Sequence, residues 1–326
     1  MNGSNFIQEM LNKAKTLNKK VVYPDAADAR SIEAAGILFK QGIAKPILTG
    51  NPADIEKVAK ENNLSLDGIE IIDTNYSIWL DEFANTLYEK RKSKGMTLEQ
   101  AKEQVKNPLY FAGLMLDSGK TDVVVGGNVS STGDILRASI HTVGVAEGIS
   151  IVSSYFLMVF PDKIYCFADC AVNPQPNAEQ LADIAISSAR NFKSVAGIEP
   201  AIGMLSFSTN GSAEHDDVTK VKTATEIIKK KAPDLNVDGE MQFDAAVVPA
   251  IGRRKFPNSE VAGNVNVMIF PDLDAGNIGY KITQRLAGAE AVGPIVQGLR
   301  KPYCDLSRGA SVDDMVSVAA INVLMS

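Results

Sequence analysis

Short apolar runs alternate with longer stretches of three-and-four periodicity along the first half of the chain. "KKVVYPD" reads as a strand and "DARSIEAAGILFKQG" as the helix after it, with Asp28 as its cap. "AKPILTG" and "IEIIDT" are further strands, separated by the helix "NPADIEKVAKENN". A helical region spans roughly Ser77 to Leu116, then the strand "TDVVVGG" leads into the helix "STGDILRASIHTV". Strand–helix alternation of this kind predicts a parallel sheet covered by helices on both faces.

The texture changes at about Gly148. "ISIVSSYFLMVFPDKIYCFADCAVNPQP" is rich in β-branched and aromatic residues and contains a hairpin signal at "FPDKIY", with Pro161 and Asp162 as turn residues. Alternation then resumes. "AEQLADIAISSARNFKSV", "VTKVKTATEIIKKKA" and "AGNIGYKITQRLAG" read as helices. "AIGMLSFS", "FDAAVVPAI", "VNVMIFPD" and "AVGPIVQG" read as strands. The pattern predicts two α/β domains with mainly parallel, doubly wound sheets. One takes residues 1–147 and 300–326, the other 148–299. The last helix returns to the first domain, which places the turn before it near the strand ends where doubly wound proteins hold ligands.

Composition narrows the chemistry. A chain of 326 residues can build two sizeable cores. Lys plus Arg number 33 against 39 Asp plus Glu, a net charge of −6, so a general nucleic-acid surface is excluded while a local anion site is not. Cys166, Cys170 and Cys304 have no metal-ligand spacing, and an odd, low count suits a reducing, cytoplasmic compartment. The opening segment "MNGSNFIQEMLNKAKTLNKK" reads as an amphipathic helix, not a signal peptide, and no run is long enough to span a membrane. With only two histidines, His141 and His215, acid–base work falls mainly to carboxylates.

Four segments share one layout, a strand, a polar turn and a helix start: "VVVGGNVSSTGDILR", "MLSFSTNGSAEHDD", "IFPDLDAGNIGYK" and "CDLSRGASVDD". They offer Ser130, Ser131 and Thr132; Ser208 and Thr209; Asn277 and Lys281; and Ser307 with Arg308. Backbone N–H groups at helix starts suit oxyanions, and an arginine adds a two-pronged grip. Ser311 and Asp314 have the spacing of a capping box, with Asp where Glu or Gln is more usual. There is no G-x-x-x-x-G-K-[ST], no G-x-G-x-x-G after the first strand and no G-x-S-x-G elbow.

"NVSSTGDILR", "MLSFSTNGSA", "FPDLDAGNIGYKITQRL" and "GPIVQGLRKPYCDLSRGASVDD" together resemble the phosphate acetyltransferase family, from "YPDAADARSIEAA" to the final helix. Asn210 stands where that family more often has lysine. The resemblance implies two α/β domains of isocitrate/isopropylmalate dehydrogenase-like architecture, an active-site cleft between them and a homodimer. It implies reversible acetyl transfer between acetyl phosphate and coenzyme A, with no permanently bound cofactor, no metal, and acetate kinase as metabolic partner. By the same resemblance Ser307, Arg308 and Asp314 are catalytic, Arg137 and Arg91 are further active-site arginines, and Arg30 is associated with coenzyme A. Other readings are a phosphate butyryltransferase-type enzyme, a non-catalytic acetyl-CoA-sensing module and a decarboxylating dehydrogenase. Retention of Ser307, Arg308 and Asp314 on a chain that starts where the fold starts argues against a sensor, and the last reading lacks clustered carboxylates for Mg²⁺.

Overall fold

A computed structural model describes residues 3–326, with side chains from Asn5 onward; Met1 and Asn2 of the opening segment lie outside the described residues. The chain begins with α1 (Gly3–Leu17), β1 (Lys20–Tyr23), α2 (Ala29–Lys40), β2 (Lys45–Gly50), α3 (Pro52–Glu61) and β3 (Glu70–Asp73). It continues through α4 (Leu80–Arg91), a 3₁₀ turn (Lys92–Lys94), α5 (Leu98–Gln104), α6 (Pro108–Asp117), β4 (Val123–Gly126) and α7 (Thr132–Thr142). The region read as one helical stretch from Ser77 to Leu116 is therefore broken. Gly95 at φ 88 closes the 3₁₀ turn, and Asn107 caps α6, which begins with Pro108.

The second half runs β5 (Ser153–Val159), β6 (Ile164–Ala168), α8 (Ala178–Ala196), β7 (Ala201–Leu205), α9 (Asp216–Lys231) and β8 (Asn236–Met241). Then come α10 (Phe243–Val247), α11 (Pro249–Lys255), β9 (Val267–Ile269), α12 (Leu273–Leu286) and β10 (Glu290–Gln297), and finally β11 (Tyr303–Asp305) and α13 (Val312–Met325). The run "FDAAVVPAI" is not a strand: it forms α10 and the start of α11, with Pro249 in the first turn of α11. The strand is the preceding "NVDGEM", whose polar residues hide it from a search for apolar runs.

Two compact units result. One comprises Gln8–Ala146 and Leu299–Ser326; the other comprises, among the described residues, 3–7 and Glu147–Gly298. The first unit carries a five-stranded sheet in the order β11-β4-β1-β2-β3, every pair parallel. Its helices cover both faces, as strand alternation requires. Val22, Ile47, Val124 and Tyr303 point to one face, where they join Phe83, Leu87, Phe111 and Leu114 of α4 and α6 in a common core. Tyr23, next in sequence to Val22, points the other way, and its hydroxyl donates to the Met315 carbonyl of α13 at 3.3 Å. Strands β1, β2 and β3 are laid down outward in sequence, whereas β4 and β11 return to the opposite side of β1. The carboxyl ends of β1 and β4 thus flank a topological switch point, the usual ligand crevice of an open α/β sheet.

The other unit carries a mixed six-stranded sheet, β10-β5-β6-β9-β7-β8. Here β10/β5 and β5/β6 are antiparallel while β6, β9, β7 and β8 run parallel, so this sheet is less uniform than strand–helix alternation predicts. The antiparallel edge follows from the "FPDKIY" hairpin, closed by the Phe160 N–H on the Lys163 carbonyl at 2.8 Å. Among the described residues no helix is long and apolar enough to cross a membrane.

Candidate active site

The switch point of the parallel sheet collects most of the polar residues that the sequence singles out. Asp25 follows β1 after a single residue, Pro24. Its Oδ2 accepts the backbone N–H groups of Gly127, Val129 and Ser130 at 2.8, 3.3 and 3.2 Å, and its Oδ1 takes the Ser130 hydroxyl at 2.5 Å. One carboxylate thereby organises the whole turn after β4. No sequence signal marked Asp25, a single acidic residue after a Pro at a strand end. The turn also needs Gly127, at φ 102: a Cβ there would lie 2.2 Å from Asp305 Oδ1.

The three hydroxyls of this turn each find a carboxylate. Ser130 donates to Asp25, Ser131 caps α7 and donates to Asp134 at 2.7 Å, and Thr132 donates to Asp305 at 2.7 Å. Asp305 ends β11 and is buried. Burial pushes its carboxyl up to about 6, with the nearby Asp25 charge adding to the rise and the Thr132 hydrogen bond opposing it.

Two residues beyond Asp305, the chain makes the tight turn Ser307–Ala310, closed by the Ala310 N–H on the Ser307 carbonyl at 2.9 Å. Ser307 and Arg308 are exposed on it, and α13 starts at once. Ser311 and Asp314 form the reciprocal capping box: Ser311 Oγ accepts the Asp314 N–H at 3.2 Å, and Asp314 Oδ2 accepts the Ser311 N–H at 2.9 Å and its hydroxyl at 2.8 Å. Asp314 is exposed, so it is both a cap and a carboxylate open to solvent.

Arg30, in the first turn of α2, reaches this turn from behind. Its side chain bonds Asp28 at 3.0 Å on both carboxylate oxygens and also bonds the carbonyls of Asn128, Arg308 and Ala310. The Asp28 carboxyl, although raised by burial, ends below its usual range because Arg30 hydrogen-bonds it from side chain and backbone.

Beside the switch point lies a hollow of about 320 Å³ lined by Asp25, Ser130, Arg137, Asn107 and Tyr110 among others. Arg137 is held by Asp134 one turn earlier on α7, at 2.8 Å. A wider hollow of about 900 Å³ shares Gln104 and Asn107 with it and is lined by Arg91, Lys94, Lys106 and His141. Arg91 is half-buried there. His141 stands one turn after Arg137, with Nδ1 3.1 Å from the Tyr110 hydroxyl. Burial and the charges of Arg91 and Arg137 hold its pKa below the usual imidazole value. Arg91, Lys94 and Lys106 outnumber Glu103, which also lines the hollow and pairs with Lys106 at 2.7 Å, so the hollow carries net positive charge and suits phosphate groups.

The remaining residues belong to the other unit. Ser208 is fully buried and donates to Glu240 at 2.8 Å; Thr209 is nearly so and exchanges hydrogen bonds with Gln242. Their hydroxyls knit the loop after β7 and do not face solvent. Asn210 in the same loop adopts φ 50, a left-handed conformation that Asn tolerates better than lysine. On α12, Asn277 Nδ2 donates to the Cys170 carbonyl at 3.0 Å, and Lys281 donates to Asn277 Oδ1 at 2.9 Å. Cys166, Cys170 and Cys304 are buried and form no disulfide, with burial driving the Cys166 and Cys170 thiols upward.

A family model described as Phosphate acetyl/butaryl transferase matches residues 5–323. The chain belongs to this family. It is 48% identical over 326 residues to a phosphate acetyltransferase of Thermoanaerobacterium thermosaccharolyticum, covering 98% of this chain and 99% of the relative. A solved EutD phosphotransacetylase from Staphylococcus aureus superposes with a TM-score of 0.93 at 39% identity, over 100% of this chain and 99% of that one. A 4-hydroxythreonine-4-phosphate dehydrogenase from Burkholderia phymatum shares the fold alone, with a TM-score of 0.56 at 13% identity over 93% of this chain and 98% of that one. The dehydrogenase-like architecture expected from the sequence is thus found.

Proposed function

We propose that this family member is a phosphate acetyltransferase, moving an acetyl group reversibly between acetyl phosphate and coenzyme A. The observation that carries the reading is the exposed Ser307–Arg308 turn at the end of β11, with the Asp314 carboxylate in the first turn of the helix it leads into. Full-length likeness to relatives named phosphate acetyltransferase supports acetyl as the group transferred.

The chemistry needs these residue types. Acetyl phosphate carries negative charge, and its carbonyl oxygen must take on more as a thiolate approaches. Arg308 and Arg137 grip the phosphoryl oxygens and screen that charge. Ser307 donates to the tetrahedral oxyanion or to the departing phosphate. Asp314 takes the thiol proton, the C–S bond forms, the C–O bond to phosphate breaks, and inorganic phosphate leaves; coenzyme A and acetyl phosphate are bound together throughout. A carboxylate is a far weaker base than a thiolate, so proton transfer from the thiol needs the thiolate to be stabilised. The arginines do most of that stabilising.

Arg91 is assigned to the anionic part of coenzyme A, supported by its place in an electropositive hollow. Ser130 and the capped start of α7 frame the phosphate side. Ser208 and Thr209 brace the loop after β7, Asn277 and Lys281 lie on α12, and their part in binding is secondary. Coenzyme A enters as substrate, and no resident cofactor is required. In a cytoplasmic setting, a kinase that passes the phosphoryl group of acetyl phosphate to a nucleotide would consume the product.

Thioester absorbance at 233 nm, followed with acetyl phosphate and coenzyme A and with butyryl phosphate in parallel, tests the reading. Rapid signal with acetyl phosphate that falls by at least about a hundredfold in Asp314→Asn, with coenzyme A binding retained, is the expected result. Signal with butyryl phosphate alone would move the substrate. Near-normal turnover of Asp314→Asn would remove the base.

A further inference from the structure

Arg30 is a guanidinium with no donor to spare. An arginine side chain has five N–H groups. Nε and Nη2 each bond a different oxygen of Asp28, at 3.0 Å. The second N–H of Nη2 bonds the Asn128 carbonyl at 2.9 Å. Nη1 bonds the carbonyls of Arg308 at 3.0 Å and Ala310 at 2.9 Å. Five donors thus meet five acceptors, and the acceptors come from three separate stretches: the cap of α2, the turn after β4 and the turn after β11.

We infer that Arg30 is a positioning residue that pins the Ser307–Ala310 turn to the switch point, acting on acetyl transfer through that turn and not by contact with coenzyme A. The inference rests on the proposed function only for its kinetic consequence. The turn itself has few other restraints. Ala310 bonds back to Ser307, Gly309 N–H lies 3.3 Å from Ser307 Oγ, and Leu306 N–H holds the Gly126 carbonyl at 2.7 Å. Without Arg30, the carbonyls of Arg308 and Ala310 lose their side-chain donors, and past the Leu306 anchor on β4 the turn is left with the bonds it makes to itself. The Asp28 pair matters for the same reason. A two-pronged carboxylate fixes the guanidinium plane, so Nη1 arrives at both carbonyls already oriented. Lysine would carry the charge without the fork.

The test compares wild type with Arg30→Gln, Arg30→Lys and Asp28→Asn by three readouts. Hydrogen exchange is read at residues 306–314, with strands β1 and β4 as a control for global unfolding. Coenzyme A affinity is read calorimetrically without acetyl phosphate, and turnover is read as kcat and KM separately. In Arg30→Gln the amides of 306–314 should exchange at least tenfold faster while β1 and β4 keep their protection. Coenzyme A affinity should stay within about threefold, and kcat should fall by roughly tenfold to a hundredfold, the scale of a small misplacement of reacting groups. Arg30→Lys should recover little, and Asp28→Asn should show the same exchange pattern more weakly. Coenzyme A affinity weakened tenfold or more with unchanged exchange at 306–314 would overturn the inference and make Arg30 a ligand contact. Unchanged exchange at 306–314 in every folded variant overturns it equally. An inactive wild type would instead sink the proposed function, and the exchange readout would still judge the pin.

Discussion

At the residue scale, the least comfortable group near the turn is Asp305. It is 4% exposed, its Oδ2 takes one hydroxyl and its Oδ1 has no hydrogen-bond partner. Burial, with Asp25 adding to it, raises its carboxyl from 3.8 to about 6. The sign follows from linkage. Above pH 6 both folded and unfolded states are ionised, and the folded state bears the full cost of a buried charge. As pH falls from about 6 towards 4, the folded state takes up the proton first, so this group's contribution to stability improves by about 1.4 kcal/mol per pH unit. Asp305→Asn cannot titrate. Urea unfolding should therefore show wild type gaining about 1 kcal/mol on the variant between pH 8 and pH 5; a difference that is the same at both pH values would refute the buried charge. Such residues were hard to see in the sequence. Asp25 and Asp305 are lone carboxylates whose partners lie about a hundred or more positions away, and burial is a property of the fold. The Ser311–Asp314 cap and the polar turn of Ser307 and Arg308 before it are legible because they lie within one short segment.

At the scale of the element, α13 shows how a structural signal and a chemical one can share atoms. The spacing of Ser311 and Asp314 predicts a capping box, and the structure has both of its reciprocal bonds. Ser311→Ala removes the acceptor for the Asp314 N–H and the hydroxyl donor to Asp314 Oδ2, one of the two donors to that oxygen. Loss of an N-cap of this type costs about 1 kcal/mol, and chemical denaturation should report a loss of that size. Turnover of Ser311→Ala should fall more than that loss of stability explains, because Asp314 is then held only by the Ser311 backbone N–H at 2.9 Å; unchanged kcat would separate cap from chemistry. Strands β1, β2, β3, β4 and β7 were readable because each is a short apolar run with punctuation at both ends. Strand β8 was not: with Asp238, Gly239 and Glu240 inside it, it carries no apolar run, and the apolar "FDAAVV" beside it drew the assignment instead. Periodicity alone cannot separate a short buried helix from a strand, and Pro249 was the better guide.

At the scale of the molecule, one apolar surface is unexplained by the chemistry of a single chain. On α12, Ile278, Ile282 and Leu286 follow one another at spacings of four and are 56%, 53% and 84% exposed. Phe207 and Phe243 of the same unit are also exposed and line a hollow of about 490 Å³ together with Ile282 and Thr283. Single exposed apolar residues are ordinary, but a stripe beside two exposed phenylalanines is the signature of an association surface. A second copy of the chain is the occupant that the family resemblance implies, and aromatic and aliphatic anchors of this kind concentrate binding energy. Sedimentation velocity at micromolar concentration should therefore give about twice the 34.9 kDa of one chain. The double substitution Ile282→Asp with Leu286→Asp should shift the boundary to the monomer. Because both side chains are exposed in the isolated chain, the fold should survive, and far-UV dichroism of the variant should match wild type. A wild type that sediments as a monomer would leave the stripe without a partner of its own kind. A dimer indifferent to the two aspartates would place the interface elsewhere.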